Sequence, residues 1–169
     1  MNSEYFLSSV DPGGDTGLSL LRIGPQDFEL LGHATVLYMP RVSPPPTQTL
    51  IGWRLGYPGT HRLLYEDFHL RNTDDAAGTD TTALKVIGGI DQMLFDRNGY
   101  EQVIAQEPVQ GKHLVTDEVL ERLGLHFAHK NDMRHVRDSL RHSVAYLTKR
   151  GYLPVCRRAF PRGSVPTNR

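Results

Sequence analysis

Only one cysteine, Cys156, occurs among the 169 residues. That excludes an internal disulfide framework and any zinc site built from several cysteines. No run approaches the roughly 18 consecutive apolar residues that a membrane helix needs. The first residues also lack the charged-then-apolar layout of a secretory signal, so the expected location is the cytoplasm, with no membrane partner. Net charge is missing too, because 19 Lys and Arg balance 19 Asp and Glu. Overall neutrality argues against avid, non-specific coating of nucleic acid. No internal repeat is present. What remains, 38% hydrophobic and 22% charged residues, fits a globular chain. The length suits a single domain able to bury a core without staples.

The neutrality hides a division. Residues 1–129 carry 9 Lys/Arg against 17 Asp/Glu, and residues 130–169 carry 10 against 2. Two readings are open: a solvated basic tail, or a polyanion-binding end beside an acidic body that holds metal.

Tyr5–Val10 reads as a short strand, and the Gly/Pro-rich run Asp11-Pro12-Gly13-Gly14-Asp15-Thr16-Gly17 reads as a turn. Leu18–Ile23 and Phe28–Leu37 follow as strands, which makes an antiparallel meander. Pro40–Pro46 is a loop, Thr47–Leu55 a short helix, and Arg62–Tyr65 a fourth strand ending on Glu66-Asp67. A helix over 79–97 follows, with Leu84, Ile87, Ile90 and Leu94 at spacings of three and four and Thr79 or Asp80 as cap. Gly88-Gly89 inside it suggests close approach by another backbone. Gln102–Ala105 is a fifth strand, and Glu107-Pro108 ends it. Thr116–Leu123 is a short helix capped by Thr116, and Met133–Lys149 a long one with the stripe Val136, Leu140, Val144, Leu147. Residues 1–151 form the expected domain, and Tyr152–Arg169 an irregular, basic tail. The fold class expected is α/β, a mixed five-stranded sheet flanked by helices.

Asp11 and Glu66 close the first and fourth strands. Strand ends can converge at one sheet edge, where carboxylates without a cation would repel and raise one another's pKa. A hard divalent ion such as Mg²⁺ resolves the repulsion. Either acid alone is equally an ordinary opener of a turn or loop. On the last helix His135, Asp138 and His142 fall within roughly a 60° arc, off the apolar stripe. His135 and Asp138, three apart, can address one metal or one water. Asp138 also has Arg134 and Arg141 within reach as surface partners.

Asp11-Pro12-Gly13 and Gly17 on a hairpin, Glu66 closing the fourth strand, and His135-Val136-Arg137-Asp138-Ser139-Leu140 on the last helix resemble a RuvC-like Holliday-junction resolvase. This is a branch of the RNase H-like nucleases, and the likeness is to small phage-encoded versions, whose setting is the host cytoplasm. It spans roughly residues 5–150. The resemblance implies an acidic site of Asp11, Glu66 and Asp138, with His135 as fourth ligand. It implies two Mg²⁺ or Mn²⁺ ions hydrolysing a phosphodiester, branched DNA as partner (junctions, flaps or forks), no nucleotide cofactor, and a homodimer for paired incision. DNA-contacting residues would be Lys112, in a loop that matches the family loosely, with Arg134, Arg137, Arg141, Arg157 and Arg158. Asp15 and Asp67 adjoin the ligands and compete for their roles, whereas Glu107 is read as a strand end.

Two rivals differ in class. The Asp11–Gly17 run is also similar to the phosphate loop of actin-like sugar kinases, but those need two lobes and a second phosphate loop. A junction-binding protein with a dead site is the other, and retention of all three acids argues against it.

Overall fold

The computed structural model describes residues 3–39, 45–67, 81–97, 99–107, 113–127 and 133–161. Strands β1 (Tyr5–Asp11), β2 (Asp15–Ile23) and β3 (Phe28–Leu37) are followed by α1 (Pro46–Gly56) and β4 (His61–Glu66). Then come α2 (Thr82–Arg97), β5 (Gln102–Gln106), α3 (Asp117–Arg122), α4 (Arg134–Lys149) and α5 (Leu153–Ala159). The sheet order is β3-β2-β1-β4-β5. The β1–β2 and β2–β3 pairs are antiparallel, and β4 and β5 join parallel to β1. This is the mixed five-stranded sheet expected from the sequence.

β1 lies at the centre and is buried along its whole length. Its period of two sorts the side chains onto two faces. Tyr5 and Leu7 join a core with Val136, Leu140, Val144 and Leu147 of α4, while Val10 joins a second core with Leu50 of α1 and Val86 and Ile90 of α2. The sheet is thus covered on both sides, as a parallel pair at its centre requires.

α4 sits unusually close to the sheet because small residues meet there. Ser139 Oγ donates to Ser19 Oγ at 3.0 Å, and Ser9 and Ser143 join through their hydroxyls at 2.5 Å. At Gly17 an added Cβ would fall 2.0 Å from the carbonyl oxygen of His135. The first turn of α4 therefore rests directly on the β1–β2 hairpin.

Several expectations change. The tail from Tyr152 is not irregular over its first ten residues: α5 buries Val155 and Ala159 completely, with Tyr152 and Phe160 beside them. Tyr152 also donates its hydroxyl to the carbonyl of Gly24 at 2.8 Å. Among the described residues Gly88 and Gly89 face no backbone: Gly88 has open space and Gly89 only the Thr47 methyl at 3.9 Å. Thr116 stands at the N-cap of α3 but caps no backbone N–H with its side chain. Pro46, read as loop, is the first residue of α1, a position where its missing N–H costs nothing. Thr79, Asp80 and Lys112 lie outside the described residues. Among the described residues no helix is long and apolar enough to cross a membrane.

A chain stopped after Gly151 should therefore be destabilised by at least about 3 kcal/mol, since deleting one buried aromatic side chain alone typically costs that much. Urea melts of that chain and of one ending at Pro161 would check it. Equal midpoints would mean that α5 adds nothing to the core.

Candidate metal centre

The register of the sheet aligns four residues at one end. Asp11 pairs with Gly17, and Glu66 pairs with Gln106. Val10 and Tyr65 form the last β1–β4 pair, so Asp11 and Glu66 follow side by side. Gly17, Asp11, Glu66 and Gln106 thus form a row across β2, β1, β4 and β5. α4 crosses over this row. Its polar edge, the arc of His135, Asp138 and His142, supplies the other half of the site.

His135 Nδ1 donates to Asp11 Oδ2 at 2.9 Å. His142 is wholly buried, with Nε2 at 2.7 Å from Glu66 Oε2 and Nδ1 at 3.0 Å from Gln106 Oε1. One ligand atom from each of Asp11, Glu66 and His142 lies within 4.8 Å of the other two. Asp138 is 5% exposed, and its Oδ1 accepts from Arg141 Nη1. Arg141 in turn reaches Asp117 of α3 at 2.5 Å, so a surface acid anchors the guanidinium that holds Asp138.

Burial pushes the Asp11 carboxyl above the ordinary carboxylate range, and Glu66 and Asp138 push the same way, against the hydrogen bond from His135. The hydrogen bond to Asp11 holds the His135 imidazole above its usual pKa, with further help from the charges of Asp15 and Asp138. Acids so crowded and so little exposed are held apart from water, and a divalent cation would relieve their repulsion. Two carboxylates and an imidazole with ligand atoms within 4.8 Å of one another suit such an ion.

Of the residues predicted from the sequence, Asp11 and Glu66 share a group with His142, His135 bonds Asp11, and Asp138 is engaged by Arg141 outside that group. The arginines do not act alike. Arg141 is taken up by Asp138 and Asp117, and Arg137 turns inward, donating from Nη1 to the carbonyl of Phe127 at 3.3 Å. Each satisfies a charge or carbonyl of the fold. Arg134, Arg157 and Arg158 are exposed. Arg157 and Arg158 stand beyond the far end of α4, whose 16 residues span about 24 Å at 1.5 Å per residue. Asp15 and Glu107 are exposed, outside the buried row.

Two members were missed as site residues. His142 was visible as part of the helical arc, two turns beyond His135. Gln106 gave no signal, because the expected strand stopped at Ala105.

No family model and no curated protein matches the sequence. Solved structures do. RuvC of Thermus thermophilus is similar at a TM-score of 0.58 and 21% identity, over 86% of this chain and 96% of that one. The same RuvC in complex with a Holliday-junction substrate is similar at 0.58 and 19%, over 87% and 96%. Fowlpox virus resolvase, in complex with substrate Holliday-junction DNA, is similar at 0.54 and 13%, over 85% and 99%. The chain therefore has the RNase H-like fold in the form found in RuvC-like resolvases.

Proposed function

We propose that the protein is a divalent-metal-dependent endonuclease that cuts branched DNA, with the four-way junction as substrate. The observation that carries this is the buried row Asp11–Glu66 under the polar edge of α4, in a fold shared over nearly the whole length of two junction resolvases. When bound, a pair of Mg²⁺ or Mn²⁺ ions supplies an activated water and stabilises the leaving 3′ oxygen. Asp11, Glu66 and Asp138 would hold the ions, and the charges of the other two already act on Asp11. His135 keeps Asp11 oriented through its Nδ1 hydrogen, and Arg141 holds the Asp138 carboxylate.

Incubation with four-way, forked, flapped and linear DNA, with and without Mg²⁺ or Mn²⁺, tests the reading. Symmetric, metal-dependent nicks in the four-way junction are expected. Tight junction binding with no cleavage under either metal would refute it.

Symmetric cutting asks for two sites related by a two-fold axis, so we take the working form to be a homodimer. Phe95 on α2 is 87% exposed, and Gly88, seven residues before it, lies on the same helical face. That open glycine and aromatic suit contact with a second copy. Phe95→Glu should lower the mass in light scattering from dimer to monomer and abolish paired incision. A monomeric wild type with intact paired incision would remove the argument.

DNA arms carry phosphates along their length, and Arg134, Arg157 and Arg158 offer exposed cations to them. Replacing Arg157 and Arg158 by Ser should flatten the plot of log affinity against log salt by about 0.9 for each phosphate that is no longer neutralised. Cleavage at saturating protein should persist, because both lie far from the metal centre. An unchanged slope would make them bystanders.

A further inference from the structure

We infer that His142 is a nitrogen ligand of the metal centre, set in that role by Gln106, and that this gives the site a preference for Mn²⁺ over Mg²⁺. The inference rests on the proposed metal-dependent nuclease and adds a ligand to its site. Three observations carry it. His142 Nε2 is the atom that groups with Asp11 and Glu66 inside 4.8 Å. The ring is fully buried, so it cannot turn to water. Its other nitrogen, Nδ1, lies 3.0 Å from Gln106 Oε1, an oxygen that can only accept.

Glu66 Oε2 beside Nε2 is an acceptor as well, so the Gln106 contact sets the tautomer once a cation takes the place of the Nε2 contact. With a hydrogen on Nδ1 engaged by Gln106, Nε2 then offers its lone pair to the ion that the two carboxylates hold. Metal-binding histidines commonly have their second nitrogen fixed in this way by an oxygen acceptor. Gln106 is brought there by register, as the β5 partner of Glu66. Binding a cation at Nε2 replaces the contact of that nitrogen with Glu66 Oε2 and leaves both side chains as ligands. Mg²⁺ demands hard oxygen donors and keeps its waters, whereas imidazole suits softer first-row ions. His135 is placed differently: its Nδ1 bonds Asp11, and it is not in the group whose ligand atoms lie within 4.8 Å of one another.

The test needs no DNA. Electron spin echo spectra of the full-length protein loaded with Mn²⁺ should show coupling to an imidazole nitrogen. That coupling should persist in His135→Asn and vanish in His142→Asn. Gln106→Leu should weaken Mn²⁺ binding by about 10–100-fold, the range for removing the partner of a ligating histidine, and Gln106→Glu should restore it. In competition, His142→Asn should lose the preference of the wild type for Mn²⁺ over Mg²⁺. Absence of nitrogen coupling in the wild type, or its survival in His142→Asn, would overturn the inference. Cleavage of junctions without nitrogen coupling would overturn it and leave the nuclease reading standing. Nitrogen coupling without cleavage of any branched DNA would do the reverse.

Discussion

Asp11→Asn should reduce junction cleavage by more than about 100-fold, beyond the range seen when only an outer partner of a metal ligand is removed. It should do so without harm to the metal-free fold. Asp11 is crowded by Glu66 and Asp138 and is little exposed, so its charge costs stability while no cation is present. Asn keeps an oxygen that can accept from His135 Nδ1. The metal-free variant should therefore melt at the same temperature as the wild type or higher. The two should part company when Mn²⁺ is added. A cation at 100 times its Kd raises stability by about 2.7 kcal/mol, and Asp11→Asn should lose most of that rise. Melting curves with and without Mn²⁺, beside junction binding and cleavage assays, check all three expectations. A variant that melts lower without metal and binds no junction would assign Asp11 to the fold.

Much of this centre is legible in the chain because the relevant rules are local. Turn chemistry after Asp11 and the acidic pair Glu66-Asp67 mark the strand ends, and a helical arc gathers His135, Asp138 and His142. The missing parts depend on partners far away in sequence. Gln106 becomes a member only through parallel pairing of β5 with β4, and no pattern within residues 102–107 specifies that register. The anchoring of Arg141 is not legible either, because its partner Asp117 sits on another helix. The helix α5 is hidden for a different reason. Tyr152, Val155 and Ala159 have helical spacing, and all three are buried. Pro154 and the neighbouring arginines suggest a tail instead. Proline in the first turn of a helix replaces an N–H that has no partner there, so it is a start signal. The close approach that Gly88-Gly89 suggests is not met among the described residues, which leaves it to the proposed second copy.

Gly17→Ala should damage both fold and activity, although Gly17 touches no proposed ligand through a side chain. The added Cβ would lie 2.0 Å from the His135 carbonyl oxygen, 2.1 Å from its carbon and 2.7 Å from the Val136 nitrogen. These are backbone atoms of the first turn of α4, so no rotamer change can clear them. The helix or the hairpin must shift by about 1 Å, and forcing extra volume into a packed contact typically costs about 1–3 kcal/mol. The same shift carries His135 and Asp138 away from Asp11 and Glu66. Misplacement on the order of 1 Å can cost about 100-fold in rate. Gly13→Ala in the same turn is the control, since its Cβ would meet only the Asp15 carbonyl oxygen at 3.5 Å, an ordinary contact. The expected result is a lower melting temperature and a loss of about 100-fold in junction cleavage for Gly17→Ala, with Gly13→Ala close to wild type in both. Mn²⁺ binding should weaken in Gly17→Ala alone, because the ligands on α4 and those on the sheet no longer meet. Equal behaviour of the two variants would show that the approach of α4 to the hairpin does not set the geometry of the site.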